Sequence, residues 1–338
     1  MENNIFERLK GRDGPFFIAE ISSNHNGDVE RAKQLVDFAI DAGADAVKFA
    51  SWSKTSLFSK KVYEGREKHA AQNEKEAMTP EMFKEMKKYC DEKKILVSST
   101  PSSFEDVDTL VQENVRFLKV MSQDVTFLPF LEYVGKTGLP IVLSIGMASM
   151  GEIETAIETI YKTGNKKIIL LQCVSNYPTE DEQINLRTME WLKDTFHLPV
   201  GLSDHTVGRA APVAATALGA CMIEKHIMLM DGQPTREQSF ALPAQDLKEL
   251  VDNVKRVPYM LGTKGVVLTA NELDERKRMR RSLITKFSMK AGEIITKDHI
   301  TFKRPGTGIP PTELKYILGK RLNVDLGEDE VIHWEHLE

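Results

Sequence analysis

Short apolar runs alternate with amphipathic stretches eight times between the N-terminus and about residue 260. The runs cover residues 16–21, 46–50, 95–99, 117–121, 141–145, 168–173, 200–203 and 222–226. Each is short and nearly continuous in apolar residues, the texture of a strand buried on both faces of a parallel sheet. Between them, apolar residues recur at helical spacing, as at Ala32, Leu35, Val36, Phe38 and Ala39 within 28–42, and again over 79–93 and 150–163. Parallel neighbours need a crossover connection, which a helix usually makes. Eight such units in about 250 residues predict an α/β fold, a closed (β/α)8 TIM barrel. An open doubly wound sheet is the alternative, but it usually holds fewer units, and no G-x-G-x-x-G follows the first strand.

Residues 51–78 interrupt the repeat with a polar stretch, either a lid or substrate loop on the barrel or a solvated excursion. The repeat stops near Gly262-Thr263-Lys264-Gly265. The chain therefore divides into a barrel over 1–265, a linker over 266–281 and a small, mostly β domain over 282–338. The charged run 274–281 reads as a solvated linker or helix face. In the last segment, β-like runs (Leu283-Ile284-Thr285, Ile300-Thr301-Phe302) alternate with turns, and a domain that small is expected to lean on another surface.

The composition is that of a soluble globular protein, with 41% hydrophobic and 28% charged residues among 338. A net charge of -5 provides no global basic field for nucleic acid or an anionic membrane, so an anionic ligand must be held by local groups. Neither a signal-peptide pattern nor a run long enough to span a bilayer is present, which predicts a cytoplasmic protein. Cys90, Cys173 and Cys221 lie far apart without C-x-x-C spacing and read as ordinary packed thiols.

Polar residues gather where the strands end, at the face where a parallel barrel builds its active site. Glu20 ends the first strand, Lys48 stands in the second, and Ser99-Thr100-Pro101 closes the third. Lys119 and Ser122 follow at the fourth, and Ser144 at the fifth. Two ammonium groups and several hydroxyls converging on one face suit a phosphate and a carboxylate. Taken singly, each lysine is as readily a structural ion-pair partner. The seventh and eighth strands end in Ser203-Asp204-His205 and Glu224-Lys225-His226. Adjacent strands lie about 5 Å apart, so both imidazoles can reach one cation. H-E-x-x-H and G-x-S-x-G are absent, which makes a metal-assisted hydrolase the weaker reading and leaves serine catalysis without support.

The chain resembles the sialic acid synthase family, which includes the N-acetylneuraminate, legionaminic and pseudaminic acid synthases and spore-coat polysaccharide relatives. The resemblance rests on Ala19-Glu20-Ile21 with Asn24-His25-Asn26-Gly27, Ala46-Val47-Lys48-Phe49, Ser99-Thr100-Pro101, Ser144 with Gly146-Met147, and Cys173 with Tyr177-Pro178-Thr179. Further on it rests on Gly201-Leu202-Ser203-Asp204-His205, Ile223-Glu224-Lys225-His226, the Ser239–Leu242 block and Lys303-Arg304-Pro305-Gly306. It implies condensation of phosphoenolpyruvate with an N-acetylated amino-sugar aldehyde, either N-acetylmannosamine or a 2,4-diacetamido-6-deoxy hexose. It implies that His205 and His226 bind a divalent ion, manganese in the first instance and magnesium or cobalt otherwise. It further implies that Lys48, Thr100, Lys119, Ser122, Ser144 and Ser203 hold phosphoenolpyruvate, with Glu20 beside the reacting carbons and Ser175, Tyr177 and Glu237 facing substrate. The last segment resembles the antifreeze-like (SAF) domain that accompanies this barrel, and by the same resemblance Arg304 reaches the site of a second subunit in a homodimer with swapped C-terminal domains.

Several positions depart from the family pattern. Lys-Phe-Gln-Thr becomes Lys48-Phe49-Ala50-Ser51, and Gly-Ser-Gly-Glu becomes Met121-Ser122-Gln123-Asp124. The usual Gly-Ala/Pro-Asp-His corresponds to Thr235-Arg236-Glu237-Gln238. These are sugar-facing positions, so the acceptor is what they bear on. Two other readings compete: a phosphoenolpyruvate-dependent aldol synthase for another sugar or sugar phosphate, and a non-catalytic sugar-binding protein. The second leaves the strand-end lysines and paired histidines unexplained.

Overall fold

A computed structural model of the chain describes residues 5–9, 14–51, 58–64 and 66–338. They form two compact units, Met1–Gly262 and Thr263–Glu338. In the first, the strands are β1 (Phe16–Ser22), β2 (Ala46–Ser51), β3 (Leu96–Pro101), β4 (Leu118–Val120), β5 (Ile141–Ser144), β6 (Ile168–Cys173), β7 (Val200–Asp204) and β8 (Met222–Met228). Parallel pairing runs β3-β2-β1-β8-β7-β6-β5-β4. First and last barrel strands are thus neighbours, in register from Phe16 opposite Met222 to Glu20 opposite His226. At the β3–β4 seam, where the ladder is interrupted, the Ser98 hydroxyl donates to the Phe117 carbonyl at 2.6 Å. A two-residue strand, β9 (Leu242–Pro243), extends the pairing of β8.

Local signals set the helices between the strands. Helix Val29–Ala42 starts where the Asp28 carboxylate accepts the Glu30 and Arg31 amides, and it ends at Gly43, whose φ of 78° is costly for a residue with a Cβ. Helix Pro80–Lys93 is capped by Thr79 with proline in its first turn, and Met150–Lys162 by a reciprocal Ser149–Glu152 box.

Because side chains alternate along a strand, each barrel strand serves two layers. Phe17, Ala19 and Ile21 of β1, Val47 and Phe49 of β2 and Leu170 of β6 join the large core beneath the helices. Phe16, Ile18, Ala46, Phe117, Val142, Ile169, Leu171 and Met222 fill the barrel interior with Ile5 of helix Ile5–Leu9. Two residues further along each inward face the chemistry changes from apolar to polar: Ile18 is followed by Glu20, Ala46 by Lys48, Phe117 by Lys119, Val142 by Ser144 and Met222 by Glu224. The lower layers are hydrocarbon, and the upper layer is the site.

The excursion after β2 includes a 3-10 turn, Lys60–Tyr63, and the helix Glu67–Glu76. Residues 52–57 and 65 of that stretch lie outside the described residues. In the second unit, much of the segment expected as a linker is a helix, Ala270–Met279, started by a Thr269–Glu272 capping box and with no residue buried. It is a solvated helix because its capping signal is strong and its apolar stripe is missing. Beyond it, β10 (Ser282–Thr285) pairs antiparallel with β11 (Ile300–Lys303) over a core that includes Leu283, Met289, Ile295, Ile300 and Leu322.

Gly201 on β7 shows how tightly the barrel is filled. A Cβ there would lie 2.3 Å from the Met222 carbonyl oxygen and 2.9 Å from a Leu171 methyl. Gly201→Ala is therefore expected to lower stability by about 2 kcal/mol or more, measurable as a shifted urea midpoint at unchanged slope.

Candidate active site

One cavity opens at the C-terminal ends of the strands. It is lined by every barrel residue singled out from the sequence: Glu20, Lys48, Thr100, Lys119, Ser122, Ser144, Ser175, Tyr177, Ser203, His205, His226 and Glu237. Arg304 belongs to the second unit, where its side chain is exposed. Glu224, Cys173, Ala50, Gln123 and Met147 complete much of the lining.

The two lysines sit deep, with Glu224 between them. Lys119 Nζ lies 3.4 Å from Glu224 Oε1 and Lys48 Nζ 3.9 Å from Oε2, while Lys48 also contacts Glu20 closely and donates to Thr100 Oγ1 at 2.7 Å. Ser203 donates to Glu224 Oε1 at 2.9 Å. The two carboxylates behave oppositely. Burial raises Glu20 to about 7, more than Lys48 can offset. Burial also works against ionised Glu224, but Lys119 and Lys48 together outweigh it and bring that group down to about 2. The two lysines hold Glu224 ionised, whereas burial dominates at Glu20 and favours its protonated form. Among the described residues, the Ser144 and Ser175 hydroxyls have no hydrogen-bond partner although buried. Ser122 Oγ accepts the Gly146 amide at 2.9 Å. Ammonium groups with unengaged hydroxyls beside them are the chemistry that grips phosphate and carboxylate oxygens.

At the other side of the cavity the His205 and His226 rings are 5.1 Å apart, and both contact Phe240. His205 Nδ1 donates to the Val174 carbonyl at 2.8 Å, and His226 Nδ1 lies 2.8 Å from Glu237 Oε2. With Nδ1 engaged on both rings, Nε2 is the nitrogen left for a ligand, the tautomer that metal-bound histidines adopt. The donor set fits a divalent cation that completes its shell with water or substrate oxygens, and among the described residues no group of three or more His, Cys, Asp or Glu forms a full cage. Tyr177 packs against His205 with ring centroids 4.3 Å apart and the planes tilted by 43°.

Three features differ from the sequence reading. The carboxylates beside the two histidines diverge: Glu224 faces the cavity, but Asp204 faces away and forms a wholly buried pair with Lys225, Nζ to Oδ2 2.6 Å. Strand alternation sends consecutive side chains to opposite faces, so parity along β7 and β8 carried that signal. Cys173, expected as an ordinary packed thiol, lines the cavity with its sulfur 3.9 Å from His205 Nδ1. It follows Ile169 and Leu171 on the inward face, so the same parity identifies it. Glu224, absent from the sequence-based set, is the shared counter-ion of both lysines.

Residues 35–265 match the NeuB family and residues 280–338 match the SAF domain. The chain belongs to the NeuB family. It is 40% identical to an uncharacterized protein of Methanocaldococcus jannaschii, over 98% of both chains. It is 35% identical to the N,N'-diacetyllegionaminic acid synthase of Legionella pneumophila, over 96% of this chain and 94% of that one. The N-acetylneuraminic acid (sialic acid) synthetase structure from Leptospira borgpetersenii superposes with a TM-score of 0.71 at 31% identity, covering 78% of this chain and 90% of that one. As a NeuB protein the chain is an enzyme of the sialic acid synthase type. The barrel and the SAF domain expected from the sequence are both present.

Two stability measurements test these electrostatics. Lys225→Met leaves Asp204 buried without its cation and is expected to cost ~3–5 kcal/mol; a loss below 1 kcal/mol in urea unfolding would contradict the pairing. Asp124 is raised to about 6 by burial, against the pull of Lys119, and its Oδ2 has no hydrogen-bond partner among the described residues. A carboxyl whose folded pKa exceeds its unfolded one favours folding below the unfolded value, and that contribution is lost as pH rises through the folded one. Asp124→Asn should therefore gain ~1 kcal/mol over the unaltered chain at pH 8 relative to pH 5, read from urea curves at both pH values.

Proposed function

We propose that this chain condenses phosphoenolpyruvate with the open-chain aldehyde of an N-acetylated amino sugar, N-acetylmannosamine or a 2,4-diacetamido-6-deoxy hexose, to give a nine-carbon sialic-acid-like acid and inorganic phosphate. The observation that carries this reading is the pairing, in one cavity, of two buried lysines amid unengaged hydroxyls with two histidines presenting Nε2. The activities named for the Legionella and Leptospira proteins support the acceptor class.

In this reading Lys48, Thr100, Lys119, Ser122, Ser144 and Ser203 hold the phosphate and carboxylate. His205 and His226 hold a divalent cation, manganese by preference, which when bound supplies Lewis-acid polarisation of a carbonyl oxygen. C3 of phosphoenolpyruvate bonds to the aldehyde carbon as the aldehyde oxygen takes up a proton. Water adds at C2, and the C2–O bond to phosphate breaks to leave the keto acid. Glu20, whose proton affinity burial raises above that of an ordinary carboxylate, is placed to handle the proton at the new hydroxyl or at the attacking water. Fixing both reactants face to face supplies much of the acceleration. Ser175, Tyr177 and Glu237 line the acceptor side. Arg304 would come from the swapped C-terminal domain of a partner in a homodimer. No helix among the described residues is long and apolar enough to cross a membrane, in keeping with a cytoplasmic enzyme.

Phosphate release from phosphoenolpyruvate with a panel of N-acetyl hexosamines and phosphosugars, with mass spectrometry of the products, tests the reading. Release only with N-acetylated, unphosphorylated acceptors is expected, and a preference for phosphosugars refutes the acceptor class. His205→Ala and His226→Ala should each lose at least about 100-fold in activity after chelation and manganese return. Full retention by His205→Ala would remove the metal from the mechanism.

A further inference from the structure

Three loops at the rim of the cavity are tied together by contacts that none of the catalytic roles above uses. Glu76, at the end of the helix Glu67–Glu76, has its side chain 2% exposed and lies 2.7 Å from Arg236 Nε in the segment after β8. Gln72 holds the other oxygen of the same carboxylate. One residue earlier, the Lys75 carbonyl sits against the loop after β1 so closely that a Cβ on Gly27 would lie 2.1 Å from its oxygen. That first loop in turn holds the segment after β8. Asn26 Nδ2 donates to the Pro234 carbonyl at 3.3 Å, Asn24 Nδ2 donates to Glu237 Oε2 at 2.7 Å, and Arg31 pairs with Asp231 while its Nε donates to the Asn24 carbonyl at 2.8 Å. The ring of contacts ends on Glu237, the carboxylate that engages His226 Nδ1.

We infer that the Glu76–Arg236 ion pair is a positioning device that fixes the helix Glu67–Glu76 against the β8 segment and thereby sets Glu237 and the acceptor side of the cavity. The geometry is selective. Arg236 is the immediate neighbour of Glu237, whereas Lys48, Thr100, Lys119 and Ser144 stand on strands of the barrel. A carboxylate as buried as Glu76 holds its place only with a cation beside it. Arg236 thus couples the helix Glu67–Glu76 to a residue that orients His226. The inference rests on the proposed condensation only for which substrate is affected, not for the existence of the device.

The test uses the full chain with Arg236→Ala, Arg236→Lys and Glu76→Gln, each checked for intact folding by circular dichroism. Without substrate, amide exchange over 67–78 is expected to rise about tenfold in Arg236→Ala and to return toward the original rate in Arg236→Lys. The ring-nitrogen resonances of His226 should move in Arg236→Ala. With substrates, the acceptor KM is expected to rise about tenfold while that for phosphoenolpyruvate changes less than about twofold. Unchanged exchange over 67–78 overturns the inference. So does faster exchange with a static His226 signal, or an equal rise in both KM values, since the pair would then be merely structural. If the unaltered chain releases no phosphate with any acceptor, the proposed condensation fails, and the exchange and His226 readouts still decide the positioning role.

Discussion

Two ammonium groups inside a barrel cannot stand without counter-charge, and the upper layer of this protein is organised around that constraint. Lys48 and Lys119 are both nearly inaccessible to solvent, and Glu224 sits between them with one oxygen toward each. Glu20 adds a second carboxylate on the Lys48 side. Desolvating an ion costs several kcal/mol, which a nearby opposite charge returns only when geometry is good. With Glu224 shared, one carboxylate stabilises two lysines and leaves positive charge over for a ligand. Burial holds Glu20 above the ordinary carboxylate range, against the pull of Lys48.

The same economy of parity separates structural from chemical charges. On β7, in the residue that follows it and on β8, Ser203, His205, Glu224 and His226 face the cavity, whereas Asp204 and Lys225 pair away from it. The outward pair is completed by Thr206, whose amide and hydroxyl donate to Asp204 Oδ1 at 2.9 and 2.8 Å and whose carbonyl accepts from Lys225. It ties the end of β7 to β8 beside the two histidines, and neither of its residues lines the cavity. Rigid support of this kind is what a metal or substrate constellation needs.

The acceptor side is built differently. All the phosphate-binding candidates but Ser122 stand on strands, whereas Tyr177, Glu237 and the helix Glu67–Glu76 belong to connections, held by polar contacts between loops. Loops on a fixed scaffold can change with little penalty to the barrel. The departures at 235–238 fall in such a connection and those at Ala50 and Ser51 at the end of β2, and both leave the lysines and the imidazole pair in place.

Sequence alone determined the barrel, the site's end of it and nearly all of its inward residues, because strand alternation and the switch from apolar to polar along each inward face are local properties with a period of two. Parity would also have separated Glu224 from Asp204 and brought Cys173 to the cavity. Helix Ala270–Met279 overlaps the charged run 274–281, read from the sequence as a solvated linker or helix face, and its Thr269–Glu272 capping box is a local signal. What only tertiary structure decided was the return of distant chain to the strand ends. Glu237 reaches His226 from eleven positions on, Val174 orients His205 across 31, and Glu76 meets Arg236 across most of the barrel. Such meetings depend on loop closure and packing against neighbours, which leave no periodic trace in the sequence.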